Sequence, residues 1–96
     1  MILEQAILHV LPGKTSEFET AFKQAQQYIS KMDGYISHEL QRCIENPDQY
    51  LLLVKWETLE AHTTGFRGSA GYVKWKELLH HFYDPFPVVE HYNKIF

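Results

Sequence analysis

Tyr35-Ile36-Ser37-His38-Glu39-Leu40-Gln41-Arg42-Cys43-Ile44, followed by Glu45-Asn46-Pro47-Asp48-Gln49 and then Tyr50-Leu51-Leu52-Leu53-Val54-Lys55-Trp56, reads as two strands joined by a turn. In the first run Ile36, His38, Leu40, Arg42 and Ile44 alternate with Tyr35, Ser37, Glu39, Gln41 and Cys43, the period-two pattern of a half-buried strand. Its inward face carries two polar residues, His38 and Arg42. The middle segment supplies the Asn, Pro and Asp that turns need. In the last run Leu51 to Val54 are apolar on both parities, which marks a strand covered on both faces. A hairpin in the middle of the chain makes the segments on either side decisive.

Upstream, Ser16-x-x-Glu19 has the form of a capping box, in which the Ser hydroxyl and the Glu carboxylate satisfy orphan backbone donors at a helix start. Phe18, Ala21, Phe22, Ala25, Ile29 and Met32 then recur at gaps of three or four, one apolar stripe on a helix, and Gly34 is placed to cap its C-terminus. Before it, Ile2 to Leu11 reads as a strand ended by Pro12-Gly13. Ile2, Ala6, Leu8 and Val10 share one parity and Leu3, Ile7 and Leu11 the other, so both faces need cover. Helices cover one face, and a second subunit is the expected cover of the other.

Downstream, Thr58 caps a helix through Leu59, His62 and Phe66, and Gly65, Gly68 and Gly71 interrupt it before Tyr72, Trp75, Leu78, Leu79 and Phe82 resume helical spacing. Asp84-Pro85-Phe86-Pro87 ends the helical region, and Val88 to Ile95 closes the chain as a fourth strand. The expected order is β-α-β-β-α-β: an α+β, ferredoxin-like fold with an antiparallel four-stranded sheet, in one domain over residues 1–96.

A formal charge of −3 with no run of Lys or Arg excludes a nucleic-acid partner, which needs concentrated basic surface. No stretch approaches the ~20 apolar residues of a membrane span, and the N-terminus has no basic leader, so a soluble, unexported protein is expected. Cys43 is the single cysteine; it can form no intrachain disulfide and no thiolate metal site, which fits a reducing cytoplasm and a packing role. Six Phe, six Tyr and two Trp are hard to hide inside one chain of 96 residues, so some are expected at a pocket or a dimer interface.

Val54-Lys55-Trp56-Glu57-Thr58-Leu59-Glu60-Ala61-His62, continued by Gly65-Phe66-Arg67-Gly68-Ser69, resembles the signature region of the antibiotic biosynthesis monooxygenase domain family, and Pro85-x-Pro87-x-x-Glu90-His91-Tyr92 resembles the last strand of many members. The resemblance implies a homodimer in which two sheets form a dimeric α+β barrel. It also implies one of several activities: cofactor-free oxygenation of polycyclic phenols or quinols, haem degradation, or isomerisation of a small signalling sugar derivative. Fold alone does not choose among them. The haem-degrading branch uses an Asn on the first strand, a Trp in the middle of the second helical region and a later His. Here no Asn precedes Asn46, the aromatic position falls near Gly65 or Phe66, and the His position falls near Lys74-Trp75-Lys76, with His80 or His81 reached only by a shifted register.

Cofactor-free oxygenation needs a substrate that supplies its own electrons once deprotonated, hence a base working near neutrality and an apolar, aromatic-lined pocket. His62 is the first candidate base, because it matches the resemblance and shares a helical face with Leu59 and Phe66. Its structural alternative is a histidine hydrogen-bonded within the core. His38 is the next candidate, with Arg42 on the same face to stabilise a phenolate or carboxylate; their alternative is polarity at a dimer interface. Tyr72 and Trp75, three apart, share a helical face with Leu79 and form an aromatic wall over a planar ligand or simply pack the core, and Trp56 is read as structural.

His9, His38, His62, His80, His81 and His91 include no pair spaced for metal on one helix face, and a cross-strand pair of His9 and His91 is the remaining metal arrangement. Gly65, Gly68 and Gly71 form no phosphate loop. The expectation is a cofactor-independent monooxygenase acting on a quinol-like or polyphenolic molecule, with no cofactor or metal. His62 is its base, and Phe66, Tyr72, Trp75, His38 and Arg42 surround the aromatic substrate. The alternatives are a non-enzymatic dimeric module that binds a small metabolite, and a haem-binding or haem-degrading protein.

Overall fold

Strand β1, Ile2–His9, pairs on both edges and so becomes the centre of the sheet. The computed structural model describes residues 1–96. After β1 come helix α1 (Thr15–Ser30), strand β2 (Tyr35–Arg42), strand β3 (Gln49–Trp56), a π-helical segment (Ala61–Phe66), helix α2 (Ala70–Leu79), a 3-10 turn (His80–Phe82) and strand β4 (Val89–Asn93). The sheet runs β2-β3-β1-β4 and every pairing is antiparallel, so the ferredoxin-like α+β order read from the sequence is the order observed. No helix is long and apolar enough to cross a membrane.

The register aligns one inward row across the sheet: Glu4 faces Val54, Ala6 faces Leu52 and Leu8 faces Tyr50. Phe18, Phe22, Ala25 and Ile29 of α1 and Trp75 and Leu79 of α2 pack onto that row to make the core. Both helices lie on this side. On the other face Ile7 is 38% exposed and Tyr92 46%, with Leu3, Leu51 and Leu53 half-buried beside them.

Four local expectations change. The helix start is not a capping box: Lys14 occupies the cap position with no side-chain cap, and Glu19 instead accepts a hydrogen bond from the Tyr50 hydroxyl. A cross-element hydrogen bond from a buried tyrosine competes successfully for that carboxylate. Gly34 does not cap α1, which ends at Ser30; it turns the chain into β2 at φ +83. An irregularity between Tyr35 and Ser37 breaks the simple alternation of β2, since Tyr35 pairs with Trp56 while Ser37 pairs with Lys55. Ile36 is pushed outward, 44% exposed, and Tyr35 turns in against the core. Strands β2 and β4 are also shorter than read, because Ile44 and Ile95 lie exposed beyond the last paired residues.

The broken second helix is present as expected. Thr58 Oγ1 accepts from the Ala61 N–H at 3.1 Å, the chain widens to a π-helix as far as Phe66, and Ser69 starts α2 by accepting from the Tyr72 N–H. This break sets His62 and Phe66 inward beneath α2.

The two glycines with positive φ make a controlled comparison. A Cβ on Gly13 would meet nothing within 4 Å, whereas one on Gly34 would lie 2.6 Å from Ala61 Cβ. Gly13→Ala is expected to cost about 1 kcal/mol from backbone strain alone, and Gly34→Ala a further ~1–3 kcal/mol from overpacking. Urea denaturation of both variants checks this; equal losses would contradict close packing of the turn on Ala61.

Candidate active site

Between the inward face of β1 and the π-helical segment with α2 lies a cavity of about 370 Å³, within the range of small-molecule sites. His62, Phe66, Tyr72 and Trp75 all line it. Phe66 meets Tyr72 edge-on at 5.2 Å and Trp75 at 5.6 Å between centroids, so three of the aromatic rings singled out by spacing form one wall.

His38 and Arg42 are elsewhere. They line a more polar cleft of about 500 Å³ between α1 and β2, with Glu19, Lys23 and Gln26. The His38 ring is hydrogen-bonded on both sides, through Nδ1 to the Tyr35 hydroxyl and through Nε2 to Gln26 Oε1, and burial lowers its pKa. Arg42 donates from Nε to the Pro47 carbonyl at 2.6 Å, pairs with Glu19 at 3.5 Å and lies over the Tyr50 ring. These residues tie β2 to its neighbours and do not join His62.

Two residues that spacing did not single out do join it. Glu4 is the polar member of the inward row of β1, between Ile2 and Ala6, and is only 5% exposed. The Trp56 indole N–H donates to Glu4 Oε1 at 2.9 Å, and His62 Nε2 lies 3.4 Å from the same oxygen. His62 Nδ1 lies 2.8 Å from Nε2 of His91, which β4 places directly across from Glu4. The Trp56 and His62 rings stack at 5.4 Å, fixing the imidazole plane. The signal for Glu4 was present, as a carboxylate on an otherwise apolar strand face. His91 needed the β1–β4 register, which no local pattern provides.

Burial dominates the electrostatics. It raises the Glu4 pKa, with the Trp56 hydrogen bond and the Arg67 charge opposing. It pushes His62 down to about 3, assisted by Arg67 and His91, and it lowers His91, again with Arg67. Both imidazoles are therefore neutral at neutral pH and each carries one N–H. His62 Nε2 faces the carboxyl group, and of His62 Nδ1 and His91 Nε2 one donates and the other accepts, according to which nitrogen of each ring carries the proton. The arrangement can hold, accept or return a proton at the wall of an aromatic cavity. No group of three or more His, Cys, Asp or Glu is disposed to hold a metal ion, and His9 pairs with Gln49 rather than approaching His91.

The family model for antibiotic biosynthesis monooxygenase matches residues 1–78. The uncharacterized protein YczJ of Bacillus subtilis strain 168 is 57% identical over 95 residues, 99% of this chain and 100% of that protein. Among solved structures, a candidate antibiotic biosynthesis monooxygenase from Bordetella bronchiseptica superposes with a TM-score of 0.94 at 35% identity, over 99% of this chain and 97% of that one. SnoaB, a cofactor-independent oxygenase from Streptomyces nogalater, shares the fold with a TM-score of 0.81 at 15% identity, over 97% of this chain and 92% of its own.

The buried imidazole has a signature in stability. Since the His62 pKa is near 3 when folded and about 6.5 when unfolded, the unfolded chain binds the extra proton between those values. Stability from this group is complete above the unfolded pKa and is lost as pH falls towards the folded one, with a slope approaching about 1.4 kcal/mol per pH unit. Glu4, raised on folding, contributes with the opposite sign, losing stability as pH rises through its folded pKa. Urea denaturation between about pH 5 and 6.5 should show a shallower dependence in His62→Gln than in the wild type. Identical dependences would mean that His62 titrates normally.

Proposed function

The chain belongs to the antibiotic biosynthesis monooxygenase family, and from that premise we propose that it is a cofactor-independent monooxygenase for a quinol-like or polyphenolic molecule held between sheet and helices. The observation that carries the reading is the pairing of an aromatic-walled cavity of about 370 Å³ with a buried carboxylate–imidazole pair in its wall. A phenol or quinol that loses a proton there becomes electron-rich enough to reduce O2 directly. One oxygen atom then enters the product and the other leaves as water. The protein's part is to remove the proton, stack the anion against Phe66, Tyr72 and Trp75, and keep water away. His62 is at the centre of that proton chemistry, and Arg67, on the cavity lining, supplies positive charge towards the anion.

The proposed working unit is a homodimer in a reducing cytoplasm, with Cys43 a free thiol. The partially exposed row of Ile7, Leu3, Leu51, Leu53 and Tyr92 on the outer sheet face is the surface a second copy would cover. Light scattering at micromolar concentration is expected to give twice the 11.3 kDa chain mass; a monomer would overturn the dimer.

Oxygen uptake by metal-stripped protein with a panel of quinols and anthrone-like phenols tests the activity. Uptake above the uncatalysed background is expected, falling ~10²–10⁴-fold in His62→Ala. Absence of uptake across the panel would contradict the oxygenase reading, and binding without uptake would favour a metabolite-binding module.

A further inference from the structure

His62 does not stand free as a base. Its Nδ1 is committed to His91 and its Nε2 faces Glu4, so neither nitrogen is left for a bound molecule. Glu4 differs in this respect. Both of its polar neighbours, Trp56 Nε1 and His62 Nε2, converge on Oε1. Oε2 makes no hydrogen bond, yet no fully enclosed side-chain nitrogen or oxygen in the structure lacks a partner. Oε2 therefore opens to accessible space, and the space that Glu4 lines is the cavity.

We propose that Glu4 is the residue that exchanges a proton with the bound molecule, through Oε2, and that His62 and His91 position it from behind. The inference rests on the reading of the cavity as a substrate site. In the oxygenase reaction the O–H or C–H bond of the substrate breaks, its electron pair stays on the substrate anion, and the proton forms an O–H bond at Oε2. O2 then adds to the anion as the two-electron acceptor. The Glu4 carboxyl returns its proton to the peroxide oxygen so formed, giving a hydroperoxide and restoring the carboxylate.

The groups facing Glu4 suit this role. Trp56 from β3 donates to Oε1 and His62 Nε2 from the π-helical segment lies 3.4 Å from the same oxygen, so that side of the carboxylate is held. His91 from β4 engages His62 Nδ1 at 2.8 Å and thereby holds the ring with Nε2 turned to Glu4. Arg67 is the full charge that acts on all three groups. Burial raises the proton affinity of the carboxyl from its ordinary value, the direction required of a carboxylate base working near neutrality.

Two measurements on the full chain test the assignment. By 13C NMR of the Glu side-chain carboxyl carbons, with the Glu4→Gln spectrum identifying the resonance, Glu4 is expected to titrate above the other glutamates. Its midpoint should move when a phenol that O2 cannot oxidise, 4-nitrophenol, fills the cavity. His91→Leu should raise that midpoint further, because His62 then loses the partner at Nδ1 that holds its ring beside the carboxyl group. In oxygen uptake, Glu4→Gln should lower kcat by ~100-fold or more with KM within about twofold, since the amide keeps the shape and the Trp56 contact. Loss of uptake in a Glu4→Gln protein whose backbone amide spectrum is also lost would report misfolding, and the carboxyl titration of the wild type then decides alone. A Glu4 that titrates with the other glutamates and ignores the phenol would overturn the proposal, as would a folded Glu4→Gln enzyme with wild-type kcat. If wild-type protein consumes no oxygen but Glu4 responds to the phenol, the oxygenase reading falls and the proton-exchanging carboxylate stands.

Discussion

A carboxylate buried at the centre of the sheet dictates what has to be arranged around it. Left unpaired, such a group would cost several kcal/mol of desolvation, on the order of the whole stability of a small domain. Trp56 from β3 and His62 from the π-helical segment reach Glu4, and His91 from β4 completes the chain behind His62. The contacts depend on the β1 pairings that put Ile2 opposite Trp56 and Glu4 opposite His91. They depend equally on the widened helical turn that brings His62 under the core. A one-residue slip of either neighbouring strand would turn its partner side chain to the outer face. Register is thus coupled to chemistry. A paired buried charge adds little net stability compared with an apolar residue of similar volume.

Patterns confined to one element were the most legible in the sequence. The stripe from Phe18 to Ile29 and the apolar run from Leu51 to Val54 are where periodicity placed them, and the glycine-rich break before α2 is real. Competition between elements was what local pattern could not show. Glu19 fits a capping box by spacing, but the Tyr50 hydroxyl, far off in sequence, takes it. Strict alternation put Tyr35 on the outer face of β2, and the irregularity after it brings the ring inside, where it also holds His38.

The six residues chosen from sequence divide between two clefts for a geometric reason. His62, Phe66, Tyr72 and Trp75 belong to one continuous helical region, so their spacing carries over directly into the wall of the cavity. His38 and Arg42 sit on β2, the edge strand farthest from β4, and face α1 instead. Glu4 and His91 escaped selection from opposite causes. Glu4 interrupts an apolar row that is otherwise read for its hydrophobic members, while His91 becomes informative only once β4 is known to lie against β1.

A crystal structure with a polyphenol bound puts the central claim to its most direct test. The ring is expected to stack against Phe66, Tyr72 and Trp75, with a hydroxyl within hydrogen-bond reach of Glu4 Oε2, ~2.7 Å away. A polyphenol seated instead between α1 and β2, beside His38 and Arg42, would contradict it.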